Sequence, residues 1–429
     1  MSRVAFVAYR GNMRSGGQGV YLHGLTRELV RLGWQVDVFV GPPYPDPMPW
    51  ARVVRLENHM FWGARFDRRP GAFLPRPDPW RIFRPLNFFE YGASRFGFLP
   101  EPFAFSLRAA RAVHRAQRAG RAYALVHDVQ SVGYGLLWLR ALGLPVVTTI
   151  HHPLTVDRRS SLARDQSFAE RVGTLTFYPV RTQRRTARRL DAVLTSSEAS
   201  AREIERGFHV ARARIRQIGN GVTLPPPAPP RARPEPPELL FVGRCGDPNK
   251  GAEFLFSALA QLPGRVSLRV LDGDPSGTPL GDQLAKLGLR ERVRFEGKVS
   301  QAELERAYRR AAVVVVPSLF EGFGLPAIEA LAAGTPVVAT TAGALPEVIG
   351  RAGAGRLVAP GDAAALARGI AETLEHWEDA QRQVRAARPS LERAFGWPAV
   401  ARRTAEVYAQ VRGDRQRSGL QDAAIPQGR

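Results

Sequence analysis

The sequence predicts an α/β protein built from two Rossmann-like domains, each a parallel sheet covered by helices. Three observations support this fold class. The chain has 429 residues, about three times the usual size of a single domain. Strand-like apolar runs alternate with helical stretches in both halves of the chain, as in doubly wound folds. A proline-rich run at 222–238 separates the two halves.

The first half, predicted as a domain over 1–221, begins with a strand, a glycine-rich loop and a helix. Apolar residues at near-helical spacing (Val20, Leu25, Leu29 and Leu32) mark this helix, and Gly33 suits its carboxyl-terminal cap. Strands are predicted at 4–8, 36–40, 124–128, 145–152 and 192–197. The series indicates a parallel sheet.

A linker is predicted at 222–238, because the run combines many prolines with no apolar periodicity. A second Rossmann-like domain is predicted over 239–395. Its strands are expected at 239–243, 266–274, 292–297, 311–318, 335–341 and 357–360. A helix is predicted at 396–412, and the polar end at 413–429 is expected to be disordered.

Composition excludes several classes of protein. With 44% hydrophobic and 23% charged residues, the chain is ordinary globular material, and no run approaches the roughly 18 apolar residues of a membrane span. Cys245, the one cysteine, cannot form an intramolecular disulfide. The start of the chain lacks the pattern of a signal peptide, so the cytoplasm is the expected compartment.

The charge is strongly asymmetric. The net charge is +22, of which residues 1–220 carry +18. Such an excess of positive charge is typical of a protein that binds an anionic partner, which could be nucleic acid, an anionic substrate or a membrane surface. Because nearly all the basic residues are arginine, biased coding is an alternative explanation.

The motif with the most chemical content is Glu321-Gly-Phe-Gly-Leu-Pro-Ala-Ile-Glu329, which follows the apolar strand at 311–318. Its glycines let backbone amides approach a ligand, and Pro326 suits the first turn of a helix whose amino end attracts anions. Glu321 can accept hydrogen bonds from hydroxyls, and Glu329 from a vicinal diol such as a ribose. The alternative is that Glu321 caps the helix and Glu329 is an ordinary surface carboxylate.

Two cations follow the first strand of the second half, Arg244 directly and Lys250 six residues later. A planar guanidinium and a mobile ammonium together suit a diphosphate. The alternative is that both are solvated loop cations. In the first half, the glycine-rich loop at 15–19 opens a helix and can hold a phosphate through its amides.

Taken together and in this order, these residues resemble glycosyltransferase family 4, the retaining GT-B enzymes. The resemblance spans roughly residues 1–57 and 122–412. Asn220-Gly221-Val222 is similar to the family's end-of-domain signature, although Thr223 stands where Asp is usual. The segment near Trp397 is similar to the one that crosses back onto the first domain in that family.

The resemblance implies a GT-B fold, with two Rossmann-like domains facing a central cleft, and a retaining, hexosyltransferase-type activity. A sugar would move from a nucleotide-diphosphate sugar to an unidentified acceptor. The implied catalytic residues are His151, Arg244, Lys250 and Glu321. The implied donor-binding residues are Gly16, Gly17, Arg244, Lys250, Val299, Phe323, Gly324, Leu325 and Glu329, with the backbone near Val299 meeting the base.

Two other functions stay open at this point. A sugar-nucleotide epimerase of the same fold would bind the same donor without an acceptor. A basic nucleic-acid-binding protein is a third, different class, disfavoured because no nucleic-acid-binding motif is present. We therefore expect a nucleotide sugar as partner and no nucleic acid.

No metal or further cofactor is expected. Asp272 and Asp274 form an Asp-x-Asp pair that can hold a divalent cation, but their position after a strand favours a turn. His127 and His152 either line the cleft or are structural. Cys245 is expected to be inert, because no acid or base is suggested beside it.

An aromatic and basic insert is predicted at about 58–105; residues 59–105 hold 13 of the 38 aromatic residues. A helix capped by Ser106 would then align four arginines (Arg108, Arg111, Arg115 and Arg118), and a second basic helix is predicted at 181–190. These faces are either simply solvated, or meet anionic lipid beside a lipid-linked acceptor, or line a nucleic-acid groove. The lipid hypothesis predicts a peripheral protein on the inner face of the membrane.

Overall fold

A computed structural model describes residues 2–12, 17–58, 78–151, 153–165, 167–227 and 229–424 of the chain. The chain divides into two compact units. The first unit comprises Met1–Ser196, Ser200–Ile218 and Ala401–Arg429, and the second comprises Ser197–Ala199 and Gly219–Val400. The division after Ile218 lies three residues before the predicted boundary.

The described part of the first unit contains a seven-stranded parallel sheet. Its strands are β1 (Arg3–Ala8), β2 (Gln35–Val40), β3 (Arg52–Arg55), β4 (Leu125–Val129), β5 (Val146–Thr149), β6 (Ala192–Thr195) and β7 (Ile215–Gln217). Their order is β3-β2-β1-β4-β5-β6-β7. Its helices are α1 (Gly17–Arg31), α2 (Pro85–Arg95), α3 (Glu101–Arg118), α4 (Gly135–Ala141), α5 (Leu154–Arg164), α6 (Phe168–Phe177), α7 (Val180–Ala187) and α8 (Glu198–Phe208).

The described part of the second unit contains a six-stranded parallel sheet. Its strands are β8 (Glu238–Val242), β9 (Ser267–Leu271), β10 (Val293–Phe295), β11 (Val313–Val316), β12 (Val337–Thr340) and β13 (Arg356–Val358), in the order β10-β9-β8-β11-β12-β13. Its helices are α9 (Ala252–Ala260), α10 (Pro279–Lys286), α11 (Gln301–Arg310), α12 (Leu325–Ala332), α13 (Leu345–Ala352), α14 (Ala363–Glu375), α15 (Trp377–Ala386), α16 (Arg388–Phe395) and the start of α17 (Trp397–Ala424).

The predicted fold class is confirmed, because both sheets are parallel and helices connect their strands. The central strands are buried on both faces, which explains their unbroken apolar runs. Two strands, β3 and β7, were missed from the sequence. Both lie at an edge of their sheet and contain charged residues, so they lack that apolar signal.

Helix α17 joins the first unit from Ala401 onward. There Tyr408 is fully buried, its ring meets Trp34 edge-on at 5.3 Å, and its hydroxyl hydrogen-bonds the Nδ1 atom of His127. Arg415 pairs with both carboxylate oxygens of Asp191, each at 3.1 Å. These contacts continue the helix past its predicted end at 412. The prediction of a disordered tail is therefore wrong for residues 413–424, and 425–429 lie outside the described residues.

The proline-rich segment predicted as a linker is held against the second unit. Arg231 donates to the carbonyl of Ala311 at 2.7 Å and lies over the ring of Trp377. Arg233 donates to the carbonyl of Leu374 at 2.6 Å. The segment therefore belongs to the packed surface of that unit, because its arginines bond backbone carbonyls at the ends of α11 and α14.

The helix predicted to begin at Ser106 begins five residues earlier. Helix α3 starts at Glu101, and Ser106 lies inside it, where its hydroxyl donates to the carbonyl of Phe103 at 2.7 Å. Arg10 donates to Glu101 at 2.9 Å, and Asn58 lies against the same carboxylate. Burial against these partners extends the helix beyond the predicted cap. Residues 59–77 of the predicted insert lie outside the described residues.

Arg108 does not belong to a solvated stripe on α3. Its guanidinium pairs with the fully buried Glu90 of α2 and donates to Asn87 at 2.7 Å and Asn58 at 3.1 Å. Arg111, one turn further on, is exposed. The predicted arginine face is therefore wrong at this position: Arg108 is an internal tie between α2 and α3.

Among the described residues, no helix combines the length and the apolar content that a bilayer span requires.

We expect Arg108→Ala to lower the free energy of unfolding by about 3 kcal/mol, because it removes the guanidinium that pairs with the buried Glu90 carboxylate. Arg111→Ala, on the same helix but exposed, should change it by less than about 0.5 kcal/mol. Chemical denaturation of both variants measures the difference. Equal losses would contradict a buried tie at Arg108.

Candidate functional site

The candidate site of the second unit lies where two neighbouring strands end. β8 and β11 pair in parallel, with Leu239 opposite Val313 and Leu240 opposite Val314. The strand order reverses between them, because β9 and β10 extend to one side and β12 and β13 to the other. Ligands of doubly wound folds bind outside the carboxyl ends of the strands at such a reversal.

The loop after β8 carries the two predicted cations. Arg244 follows the strand with 82% of its side chain exposed and lies 3.3 Å from Asp247. Asp247 also caps the short helix Pro248–Lys250, and Gly251 follows in the left-handed region with φ 66°. A β-carbon at Gly251 would lie 2.0 Å from the carbonyl oxygen of Pro317. Close approach of this loop to the end of β11 therefore requires glycine.

Lys250 and Glu321, predicted from separate motifs, form an ion pair. The Nζ atom of Lys250 lies 2.8 Å from Oε2 of Glu321. The hydroxyl of Ser318 also donates to this oxygen at 3.3 Å, and Thr340 donates to the Ser318 carbonyl at 2.6 Å. The alternative that Glu321 caps the next helix is excluded, because Gly324 holds that position. Ser318 was missed, since no sequence pattern marks a hydroxyl three residues before Glu321.

The loop from Glu321 to α12 presents backbone amides. Gly324 is the amino-terminal cap of α12 with φ 93°, and Leu325 is the first helical residue. The ring of Phe323 is buried against Phe395, 5.8 Å between centroids, so this residue has only its backbone to offer a ligand. The Gly322 carbonyl accepts from Ser197 at 2.8 Å. These amides stand at a helix amino end, where anions are favoured.

Glu329 is tied to a tyrosine that the sequence did not indicate. The hydroxyl of Tyr308, on α11, donates to Oε2 of Glu329 at 2.7 Å. Burial raises the pKa of Glu329 to about 7, while the Tyr308 hydrogen bond lowers it and the nearby Glu305 raises it further. The alternative of an ordinary surface carboxylate is therefore wrong.

The remaining predicted residues of this half lie on two other loops. Val299 directly precedes Ser300, the amino-terminal cap of α11. Asp272 accepts from the backbone N–H of Cys245 at 2.6 Å, and Asp274 accepts from that of Ser276 at 2.9 Å. Asp272 thus ties its loop to the loop after β8, and Asp274 shapes its own turn. Among the described residues, no group of three His, Cys, Asp or Glu side chains is arranged to hold a metal ion.

The thiol of Cys245 is buried, and burial together with Asp272 raises its pKa to about 12. A thiol of this kind is almost entirely protonated at neutral pH and is a poor nucleophile.

In the first unit, the strand order reverses between β1 and β4, and the predicted residues follow β1 and β5. Gly17 is the first residue of α1. Gly16, and the predicted structural or cleft residue His152, lie outside the described residues. His151 follows β5, its backbone N–H donates to the side chain of Gln130 at 2.7 Å, and its ring meets Tyr21 edge-on at 4.5 Å.

The turn that holds His151 is strained. Gln130 and Val132, after β4, have φ 65° and 45°, which is costly for a β-branched residue such as Val132. Buried Asp128 accepts from the Thr148 hydroxyl at 2.7 Å and the Val132 N–H at 3.1 Å, and so fixes the turn. Burial raises the pKa of Asp128 to about 6. Sequence reasoning missed this turn, because neither Gln nor Val is typical of left-handed backbone.

His127 is structural. It is fully buried between Tyr408 and Thr149, whose hydroxyl lies 2.6 Å from Nε2. Burial lowers its pKa to about 3. A neutral imidazole with both nitrogens occupied cannot act as an acid or a base.

The second-unit group has a definite chemical character. Exposed Arg244, Lys250 and the amino end of α12 offer positive charge and N–H donors to an anion. Glu321 and Glu329 offer oxygens to hydroxyl groups. This is the complement of a phosphorylated, hydroxyl-rich ligand such as a sugar nucleotide.

Comparison with known proteins points to the same class. The family model described as "Glycosyl transferases group 1" matches residues 227–389. The model described as "Glycosyltransferase Family 4" matches residues 15–224. The two matches together span most of both units.

Three known proteins are similar to this chain over nearly their whole length. The MMP alpha-(1→4)-mannosyltransferase of Mycolicibacterium hassiacum is 36% identical, over 95% of this chain and 98% of its own. Sucrose-phosphate synthase from Thermosynechococcus elongatus has TM-score 0.67 and 25% identity, over 96% of this chain and 99% of its own. Anabaena HepE, solved in complex with UDP and glucose, has TM-score 0.67 and 18% identity, over 96% and 100%; this last similarity concerns the fold.

Proposed function

Because the chain belongs to the GT-B glycosyltransferases of family 4, we propose that it moves a hexose from a nucleotide-diphosphate sugar to an acceptor with retention at the anomeric carbon. The observation that carries this proposal is the meeting of Lys250 and Glu321 at 2.8 Å beside the amino end of α12. The cation there matches a diphosphate, the carboxylate matches sugar hydroxyls, and the helix amides match the charge that develops on the leaving group.

The hard step of such a transfer is departure of the nucleotide diphosphate. Arg244, Lys250 and the amides at the start of α12 stabilise the charge that develops on the leaving group. On donor binding, Lys250 exchanges Glu321 for a phosphate oxygen, and Glu321 turns to the sugar hydroxyls. Glu329 accepts from the ribose. Gly16 and Gly17 contact the phosphates and His151 lies beside the sugar, as the family resemblance implies.

We propose that the reaction needs no metal ion. The positive charge that a cation would supply to the diphosphate is available from Arg244, Lys250 and the α12 amino end. Asp272 already accepts from the backbone N–H of Cys245 on the loop after β8, and Asp274 accepts from that of Ser276 in its own turn.

The first unit carries a concentration of exposed apolar side chains. Among the described residues, fourteen large apolar side chains are exposed, and nine of them lie within 80–98 or on α6. These nine form what we call the aromatic patch: Trp80, Phe83, Phe88, Phe89, Phe96, Phe98, Phe168, Val172 and Leu175. The two segments are joined where the Leu99 N–H donates to the Phe177 carbonyl at 3.1 Å. Such concentrated apolar exposure marks an interaction surface.

We propose that the aromatic patch meets an anionic membrane surface that carries a lipid-linked acceptor. Arginines lie among its residues at Arg81, Arg84 and Arg95, and the first 220 residues carry a net charge of +18. Aromatic rings favour the interfacial region of a bilayer, and each arginine near anionic lipid contributes about 1 kcal/mol. This surface replaces the predicted stripe through Arg108.

The function is tested by incubating the full chain with UDP-glucose, GDP-mannose or ADP-glucose and a panel of sugar and lipid-linked acceptors. We expect one donor to yield a glycoside with the donor's anomeric configuration, read by NMR. EDTA should leave the rate unchanged. Conversion of the free sugar nucleotide to its epimer without transfer would instead establish the epimerase.

Lys250→Ala and Glu321→Ala should each lower turnover by about 10²–10³, as expected for loss of one charge-stabilising contact. Lys286→Ala, an exposed lysine on α10, is the matched control and should retain wild-type turnover. Circular dichroism checks that the folds are intact. Wild-type turnover by Lys250→Ala at saturating donor would contradict the diphosphate role.

Membrane binding is tested by co-sedimentation of the full chain with phosphatidylglycerol or phosphatidylcholine vesicles. The protein should bind only the anionic vesicles and be released by salt, since exposed charges are screened. Trp80→Ala/Phe83→Ala/Phe96→Ala should lower the partition coefficient at least tenfold. The control, Leu287→Ala/Leu319→Ala, removes exposed leucines of the second unit and should bind normally. Equal binding by both variants would rule out the aromatic patch.

A further inference from the structure

Glu329 is supported by one residue that neither motif nor family comparison indicates. We infer that Tyr308 is a positioning residue for the donor: its hydroxyl holds Oε2 of Glu329 and leaves Oε1 to accept from the vicinal diol of a bound nucleotide. The inference rests on the proposed function. In it, the hydrogen bond from Tyr308 to Glu329 sets the strength and the pH range of donor binding.

Tyr308 is itself held rigidly. It is 2% exposed and belongs to the apolar core that includes Ile328 and Leu331 of α12. Its backbone carbonyl accepts from the hydroxyl of Thr335 at 2.6 Å. Helix α11 begins with a complete capping box between Ser300 and Glu303. A ring fixed at both backbone and side chain delivers its hydroxyl to Glu329 without further loss of side-chain entropy.

The geometry gives the carboxylate two separate tasks. The hydrogen bond from Tyr308 to Oε2 is 2.7 Å long, and among the described residues Oε1 accepts no hydrogen bond. Hydrogen bonds to an ionised carboxylate are roughly twice as strong as those between neutral groups. The ribose is therefore bound best when Glu329 is ionised.

Few charged side chains on the neighbouring elements affect the ionisation of Glu329. Helix α12 packs on α11, α13, α16, β11 and β12. α11 contributes Tyr308 and Glu305, and the described strands β11 and β12 contain no ionisable side chain. On α13, Glu347 accepts from the N–H groups of Glu198 and Ala199 and lies 4.0 Å from Arg351. On α16, Arg388 pairs with Glu392, and Arg393 donates to Ser390.

Donor affinity depends on pH through the ionisation of Glu329. The pKa of Glu329 is raised to about 7, and the Tyr308 hydrogen bond is a cause that lowers it. Donor affinity is thus full above this pH and weakens as pH falls through about 7, because the carboxyl becomes neutral. Removing the Tyr308 hydroxyl raises the pKa further and moves the midpoint upward. Removing the Glu305 charge moves it downward.

The test is calorimetric titration of the full chain with UDP-glucose, GDP-mannose and ADP-glucose between pH 5.5 and 8.5. Their diphosphates carry no group that titrates in this range. For the sugar nucleotide that binds, the wild-type Kd should rise about fivefold to tenfold as pH falls through about 7. Glu329→Gln should bind weakly at every pH with no midpoint.

Tyr308→Phe should shift the midpoint upward by roughly one pH unit, and Glu305→Gln should shift it downward. The matched control is Tyr123→Phe, which removes another buried tyrosine–carboxylate bond, 2.6 Å to Asp37 in the first unit, and should keep the wild-type midpoint. If Tyr308→Phe does not fold, two other measurements test the same titration. One is the midpoint of Glu305→Gln. The other is proton release on donor binding, which should be about half a proton per donor near pH 7 for the wild type and none for Glu329→Gln.

An unchanged midpoint in Tyr308→Phe, with or without uniformly weaker binding, would overturn the inference and leave the proposed function standing. So would a Kd independent of pH in the wild type. Failure of all three sugar nucleotides to bind at any pH would instead overturn the proposed function, and the inference with it.

Discussion

The parallel pairing of β8 with β11 is the constraint on which the candidate site of the second unit depends. Lys250 and Glu321 are 71 residues apart in the chain, and they meet because their loops leave adjacent strands at the same sheet edge. Gly251 permits the close approach to Pro317 that brings the two loops together. The ion pair is therefore a consequence of sheet order, and a change of strand order would separate the two charges whatever their sequence motifs.

The same site divides its work between backbone and side chains. Amides at the start of α12 are set by the left-handed Gly324 and the helix that follows, so they need no rearrangement to receive an anion. The side chains of Lys250 and Glu321 satisfy one another instead and must exchange partners. Glu329 lies between these cases, since Tyr308 orients one oxygen only. In the proposed function, the helix amides are thus built in advance, while Lys250 and Glu321 must rearrange when the donor binds.

Sequence reasoning succeeded where the signal is local. Apolar runs such as Val313–Val316 predicted the buried strands, and the glycine and proline spacing around Glu321 predicted a loop followed by a helix. It failed where packing between distant segments decides the outcome. Tyr308 meets Glu329 only because α11 packs beside α12, and Arg108 is buried only because α2 supplies Glu90. The tail after 412 is helical because Arg415 pairs with Asp191, and no local sequence pattern indicates this distant contact.

The first unit is discontinuous in sequence, and this has a consequence for synthesis of the protein. Tyr408 covers His127 from 281 residues further along the chain. During translation the first sheet must therefore wait for the whole second unit before its last helix arrives. Contacts of such long separation close slowly, and the uncovered apolar surface is open to chaperones and to aggregation meanwhile. A helix that is synthesised after the second unit thus completes a unit whose strands are synthesised before it.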